Sequence, residues 1–457
     1  MVNSEEGCNQ SESISEFFAG KSVFVTGGTG FLGKVLIEKL LYSCRSIDKI
    51  YVLIRKKRGR NPDVRMQSFF ENVIFSRIRN ERPSDLEKVV PVIGDMSEPN
   101  LGLEHSVISL LIQKVSVIFH VAATIKFNES LKFALSVNFE GTKQILELCR
   151  KLRKIDALVH VSTAYSNTEQ DTVEERVYPP PNTLQEIDEF LNKSGDDVDA
   201  RNIFLKKKPN TYAYTKSMAE YLVSTHQQDI PTAIVRPSIV LSTLKDPLPG
   251  WLENWNGPTG LMYAAARGVH RFMAADAAKV LDLIPVDTVA NMTIAAAAAC
   301  KNSKELKVYN CCSSPRNPIT NGEFLRYFME SGASHHYGVV PYPFLILIKS
   351  TIVLSILKFF LVLIPAYVMD LFLRLFGRKP KYVKLQAVFQ YAEDMLKFFT
   401  LNEWTFRDEN VRGLIRNMTP EDRDTFYCDP ADINWRKYVD DYVVGIDRFL
   451  VKKDKNN

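Results

Sequence analysis

The chain has 457 residues, 46% hydrophobic and 24% charged, with a formal net charge of +5 at pH 7. Its length predicts two or three domains, and its composition excludes a disordered chain. A balance of 58 basic against 53 acidic residues is too even for a nucleic-acid-binding surface, though it leaves room for a local basic site for an anion. Seven cysteines occur without a Cys-x-x-Cys pair, and Cys311 and Cys312 are adjacent, which suits neither a zinc site nor a disulfide framework. No metal is therefore expected, and a reducing compartment is. The opening Met1-Val-Asn-Ser-Glu-Glu6 is acidic where a secretory signal needs a basic and then an apolar region. The closing Lys452-Lys-Asp-Lys-Asn-Asn457 forms neither a peroxisomal address nor a prenylation box.

Residues 1–19 read as a flexible N-terminus. From about residue 20 short β-branched runs predict strands at Ser22–Thr26, Ile50–Ile54, Val89–Gly94, Ser116–Val121, Ala157–Val161 and Thr232–Arg236. Helices are predicted between them over Phe31–Tyr42, Leu131–Leu152 and Thr211–Ser224. Strands that are apolar almost throughout have both faces covered, so the fold class is α/β, a Rossmann-like doubly wound parallel sheet over 20–238. Past Pro237 the alternation stops, and Pro, Gly and Trp crowd between Pro247 and Gly260. A substrate-covering region is expected over 239–335, completing that domain. Near Pro341 the composition shifts to a strongly apolar stretch from Phe344 to Phe376, which opens a mainly helical carboxyl-terminal domain over 336–450, with a polar tail at 451–457. There is no internal repeat.

The first strand runs into Thr26-Gly27-Gly28-Thr29-Gly30-Phe31-Leu32-Gly33, a Gly-x-x-Gly-x-x-Gly at a strand-to-helix junction. Glycine is required there for the tight turn, for the approach of a pyrophosphate and for close helix–sheet contact. The helix that follows offers free N–H groups to the phosphates. Thr26, Gly27, Thr29, Gly30, Phe31, Leu32 and Gly33 are thus the candidate cofactor-binding turn, in a spacing that resembles the extended short-chain dehydrogenases. At the end of the second strand, where NAD would want a carboxylate for its ribose, stand Arg55-Lys-Lys-Arg58. A guanidinium takes a 2′-phosphate in a bidentate fork, which selects NADPH; a solvated basic loop is the plainer alternative. Gly94-Asp95 places a carboxylate near the adenine amine, or is an ordinary loop aspartate. His120-Val-Ala-Ala123 supplies small residues beneath the cofactor, with His120 itself a packing residue.

Tyr212-Ala-Tyr-Thr-Lys216 puts a phenol and an ammonium on one face of a helix, and of the 18 tyrosines only Tyr212 has a lysine four positions later. The cation is expected to bring the phenol's pKa down towards the working range. The fifth strand ends in Val161-Ser162-Thr163-Ala164-Tyr165, so a hydroxyl stands beside the expected nicotinamide position. Thr163 would hold the substrate oxygen while Tyr212 gives it a proton and Lys216 holds the tyrosine and the cofactor ribose. Ser162 is the alternative hydroxyl, with Thr163 favoured.

Val23 to Gly33, Val161 to Tyr165, Tyr212-x-x-x-Lys216 and Val235-Arg-Pro-Ser238 together resemble the fatty acyl-CoA reductases, or male-sterility-type proteins. The likeness continues through Ile364-Pro-Ala-Tyr-Val-Met-Asp370, Gly377-Arg-Lys-Pro380, Phe399 to Trp404 and Ile433-Asn-Trp-Arg-Lys-Tyr438. It implies a long or very long acyl-CoA substrate, NADPH as donor, and a primary alcohol as product through an aldehyde. Pro237 joins the cofactor-lining set on the same ground. The resemblance also implies an intracellular, membrane-associated enzyme facing the cytosol, at the endoplasmic reticulum or peroxisome surface. Rival readings are another extended short-chain dehydrogenase, acting on a sterol or a nucleotide sugar, or a non-catalytic NADPH-binding protein.

Lys349, Lys358, Asp370 and Arg374 interrupt the apolar stretch, leaving uncharged runs about half the ~20 residues needed to span a bilayer. A simple transmembrane helix is therefore not expected, and two shorter helices broken near Pro365 are. They would form either buried core or a patch lying on the membrane surface. Many animal members of the family have a hydrophobic anchor after this domain, and its absence here argues against integral insertion.

Overall fold

The computed structural model describes residues 12–55, 62–194, 197–301, 303–335, 337 and 343–451. Its centre is a seven-stranded parallel sheet: β1 Ser22–Thr26, β2 Lys49–Ile54, β3 Val89–Ile93, β4 Val115–His120, β5 Ala157–Val161, β6 Thr232–Pro237 and β7 Lys307–Cys311. The strands lie in the order β7-β6-β5-β4-β1-β2-β3. Side chains alternate between two buried layers. Val23, Val25, Val117 and Val159 face one core, with helix Phe31–Ser43 and helix Val286–Ala299; Phe24, Ile118 and Leu158 face the other, with helix Gly141–Lys151 and helix Thr211–His226. A parallel sheet covered on both faces is the doubly wound arrangement, and β1 and β4 part company at its switch point.

All six predicted strands form, with ends shifted by at most a residue. The seventh, β7, was not read from the sequence. It comes from the stretch assigned to the substrate-covering region and pairs with β6 in parallel, Val308 opposite Ile234 and Tyr309 opposite Val235. The sheet thus draws its edge strand from beyond residue 238. The predicted helix Leu131–Leu152 forms as three pieces, Leu131–Leu135, a π turn at Ser136–Glu140, and Gly141–Lys151.

Residues 14–18 are not the flexible tail expected of 1–19. Helix Ile14–Phe17 starts with a Ser13/Glu16 capping box, buries Phe17 and Phe18, and its Ile14 N–H donates to the Asp422 carboxylate. Residues 1–11, and the basic residues Lys56, Lys57 and Arg58, lie outside the described residues. The carboxyl-terminal region is interleaved with the rest: Thr405–Phe406 pairs with Thr172–Val173, and helix Trp435–Gly445 packs on helix Asn321–Ser334.

The apolar stretch departs most from expectation. It is one continuous helix, Thr351–Leu375, of 25 residues, whose most apolar window of 18 has a mean hydropathy of 2.4. Pro365 does not break it, because a π turn at Phe359–Leu363 immediately precedes the ring and Pro365 enters as the first turn of the next α-helical segment. Nor do the charges interrupt it. Lys349 lies before the helix and pairs with Asp276 at 2.9 Å. Lys358 turns inward to Gln390 and Glu393, and the Asp370 carboxylate accepts the N–H groups of Lys381, Tyr382 and Val383, holding the return helix Tyr382–Leu401. The outward side is apolar: Phe360, Leu371, Leu375 and Phe376 are all more than half exposed, and only 11% of the helix's most apolar window is buried. By length and composition this helix could cross a membrane.

Candidate active site

The Gly-rich turn sits at the carboxyl end of β1, at the switch point. Gly27 has φ +72°, and a Cβ there would lie 2.7 Å from the Ala122 backbone nitrogen at the end of β4. A Cβ on Gly33 would lie 2.3 Å from the Gly27 carbonyl, so helix and turn touch backbone to backbone. Gly30 is exposed, and helix Phe31–Ser43 begins there without any side-chain cap. Its first N–H groups are left for an external acceptor, with Thr29, Phe31 and Leu32 half-buried around the mouth. Phe31 is held from behind by stacking on the buried Trp251, 5.3 Å between centroids. A bare helix start, close backbone and an open Gly30 fit a dinucleotide pyrophosphate.

Thr26 closes the switch point by bonding across it. Its hydroxyl meets His120 Nδ1 at 2.8 Å and accepts the Ala122 N–H, while His120 Nε2 meets the Thr142 hydroxyl at 2.9 Å. Burial, helped by the nearby Lys216 charge, pulls the His120 pKa down to about 3, so this ring is neutral and structural, as expected. At the outer end of the site Arg55 and Asp95 pair with each other, Nε to Oδ2 at 2.9 Å, and Asp95 also accepts from the Ser97 N–H and hydroxyl.

Helix Thr211–His226 starts on an Asn210 side-chain cap and lays Tyr212 and Lys216 one turn apart against the end of β5. Lys216 is buried, and its ammonium donates to the Val161 carbonyl at 2.7 Å. Burial pulls its pKa down to about 8, with Glu220 opposing. The expected lowering of the Tyr212 pKa is not found. Burial pushes the phenol up, the Glu220 charge adds to that, and the Lys216 ammonium is spent on a backbone carbonyl. A phenol held protonated is suited to giving a proton rather than to waiting as phenolate. Thr163 caps the turn Ala164–Asn167, its oxygen accepting the Tyr165 N–H, which leaves its own proton to donate. Ser162, buried beside it, has an Oγ without a protein partner among the described residues. Pro237 ends β6 opposite Cys311, buried.

Three contributions were not read from the sequence. Asn138, in the π turn, accepts from the Thr124 N–H and donates to the Thr124 carbonyl and the Thr215 hydroxyl, tying the loop after β4 to helix Thr211–His226. An asparagine between Val137 and Phe139 in an otherwise apolar helical run was its only signal. Arg236, wholly buried, forks onto Glu220 at 2.6 and 2.9 Å and so fastens β6 to the same helix. Phe127 stacks on Tyr212 at 6.1 Å and touches Phe399 at 5.8 Å, bringing the carboxyl-terminal region to Tyr212.

Fold and site together define a dinucleotide-binding reductase of the extended short-chain type. A NAD-binding family model described as male sterility protein matches residues 25–293, and a second model of the same description matches 361–453. Fatty acyl-CoA reductase 1 of the rat is 36% identical over 97% of this chain and 87% of its own length; the human protein of that name is 35% identical with the same coverage. Fatty acyl-CoA reductase 2 of cattle is 32% identical over 96% of the chain and 87% of its own length. Among solved structures, the terminal R domain from the myxalamid pathway superposes with a TM-score of 0.66 at 18% identity, covering 95% of this chain and 92% of that one. The reductase domain of a Mycobacterium tuberculosis nonribosomal peptide synthetase gives 0.63 at 17% identity, covering 94% and 92%, and both show the same fold. The chain belongs to the fatty acyl-CoA reductase family and is an oxidoreductase.

If Lys216 acts as a cation beside a protonated Tyr212, kcat/KM for reduction should fall as pH rises through about 8. The fall should approach about tenfold per unit in a profile followed by nicotinamide absorbance. Lys216→Arg, which keeps its charge, should lose that limb; a wild-type profile flat to about pH 9.5, above that pKa but below the ordinary lysine value, contradicts the role.

Proposed function

We propose that the protein reduces long-chain or very-long-chain fatty acyl-CoA to the fatty alcohol and free CoA, with NADPH, through the aldehyde. The observation that carries this reading is the pairing of Tyr212 with an apolar wall: its ring lies on Phe127, which leads into Phe399, Tyr165 and Trp404. A proton donor set against aromatic carbon suits an acyl carbonyl on an alkyl chain; a sugar would ask for hydrogen-bonding partners there. Two NADPH, bound in turn, would each supply one hydride per acyl chain, the first taking the thioester to aldehyde with loss of CoA and the second taking the aldehyde to alcohol.

The protein's own residues do the rest. Gly27, Gly30 and Gly33 let the backbone approach the pyrophosphate, with Thr26 and Thr29 beside it. Arg55, paired with Asp95 in this structure, would hold the 2′-phosphate, and Asp95 would face the adenine side. Thr163 donates to the substrate oxygen as negative charge gathers there, with Ser162 next in line, and Tyr212 passes its proton to that oxygen. Lys216 stabilises the phenolate that remains and reaches the ribose.

The same reading places the enzyme on the cytosolic face of an intracellular membrane, endoplasmic reticulum or peroxisome. Its support is the exposed apolar side of Thr351–Leu375, where ordinary soluble surfaces keep such patches small. Arg374, Arg378, Lys379 and Lys381 at the end of that helix add positive charge for anionic lipid.

The deciding experiment is incubation of the purified protein with NADPH and acyl-CoAs of graded length, followed by mass-spectrometric product analysis; no alcohol from any length refutes the reading. Tyr212→Phe should cut turnover by ~100-fold or more with cofactor affinity nearly intact, and near-normal turnover would remove Tyr212 from the mechanism. Arg55→Ala should weaken NADPH binding about tenfold or more while NADH is little changed, in a fluorescence titration of both. Equal losses would sink the 2′-phosphate contact. Phe360→Ser with Leu371→Ser removes two exposed side chains and opens no cavity, so melting should be unchanged while liposome binding and long-chain turnover fall. Unaltered liposome binding would count against docking through this helix.

A further inference from the structure

A second apolar space lies behind Phe399. It holds about 450 Å³ of empty volume, its open mouth included, and is walled by Met262, Met273, Phe324, Leu347, Leu396 and Phe399. These come from four places: helix Thr259–Ala266, helix Asn321–Ser334, the end of helix Tyr382–Leu401, and the strand pair Phe272–Ala274 with Ile346–Ile348, in which Leu347 stands opposite Met273. Two polar residues also line it, and both are already engaged. The Asn321 amide donates to the Asp276, Lys279 and Thr400 carbonyls, and the Thr400 hydroxyl donates to the Ala274 carbonyl. What remains towards the space is carbon, which excludes a polar ligand and favours an alkyl one.

Its two ends matter as much as its lining. At one end Phe399 is shared with the aromatic cluster at the proton donor, through ring-to-ring steps of 5.8 Å to Phe127 and 6.1 Å from there to Tyr212. At the other end Leu347 lies three residues before Ser350, whose side chain caps the start of the exposed apolar helix Thr351–Leu375. The space therefore lies between Phe399, which borders the aromatic cluster, and Leu347, which lies close in sequence to the apolar helix.

We propose that this cleft is the tail site of the enzyme: the distal part of the acyl chain runs past Phe399 between Met262, Met273 and Leu396 towards Leu347. The assignment rests on the acyl-CoA reading above and adds to it where chain length is sensed. Carbons near the thioester lie at Tyr212 and Phe127, short of the cleft, so short chains do not fill it. Long chains gain by burying methylenes there, and their turnover depends on its free volume. Leu347, half-buried and three residues before the cap of the apolar helix, would sit where a chain leaving a lipid layer could enter the cleft.

The test is to fill the space. Leu347 is only partly buried, so Leu347→Trp can be accommodated at the mouth, and Met262→Phe narrows the interior by a smaller change if the first does not fold. For wild type and each variant with a wild-type melting curve, kcat/KM is measured with hexadecanoyl-CoA and hexanoyl-CoA, and displacement of a fluorescent polyene fatty acid is titrated. A fall of tenfold or more in the hexadecanoyl to hexanoyl ratio, with weaker binding of the fluorescent chain, is the expected result. An unchanged ratio in folded variants overturns the tail site while leaving the acyl-CoA reading standing. A wild-type enzyme that binds NADPH and reduces neither thioester overturns that reading, and the tail site with it.

Discussion

The bond from the Lys216 ammonium to the Val161 carbonyl, 2.7 Å long and fully buried, fixes the relation of the catalytic helix to the sheet. A buried cation with a single carbonyl for company is a costly arrangement, visible in a pKa pulled down to about 8. The surroundings hold it in place. Glu220, one turn further along the same helix, is clamped by the buried Arg236 of β6, and Thr215, one residue before Lys216, is bonded by Asn138. Two strands and a π turn thereby set the height at which Tyr212 stands. Burial keeps its phenol protonated, so in the mechanism we propose the lysine stabilises charge after proton transfer rather than creating a phenolate beforehand.

The cofactor end obeys a different constraint, steric rather than electrostatic. Gly27 and Gly33 are fixed by contacts with backbone atoms that no side chain could displace. The Thr26–His120–Thr142 chain links the paired ends of β1 and β4 to helix Gly141–Lys151, so side chains as well as the sheet hold the switch point. The ion pair of Arg55 with Asp95 belongs to the same end but is half-exposed, and such a pair is worth little by itself. That weakness is useful, since either partner can exchange the other for a ligand group at small cost.

The helix Thr351–Leu375 shows how charge and hydropathy divide between two sides of one element. Lys358 and Asp370 are spent on Glu393 and on the start of the return helix, and these contacts turn the uncharged side outward. The return helix ends at Phe399 and Thr400, within the wall of the apolar cleft. One hairpin thus presents the apolar surface and also reaches the substrate space, which explains why the carboxyl-terminal region is woven into the sheet domain through Thr405–Phe406 rather than tethered beside it.

Local signals in the sequence determined the first six strands, the Gly-rich turn, the Tyr212–Lys216 spacing and the strand-end hydroxyls. These are legible because strand pattern, glycine requirement and helical periodicity each act over a few residues. Tertiary structure decided the rest. β7 is a five-residue run that becomes a strand only because β6 offers it an edge, and Asn138 gains its role from a loop fourteen residues away. Lys358 and Asp370 interrupt an apolar run when read along the chain, and their direction is set by Glu393 and Lys381, which the run does not contain. The meeting of Phe399 with Phe127 and Tyr212 joins residues hundreds of positions apart, and no periodicity records a contact made by packing alone.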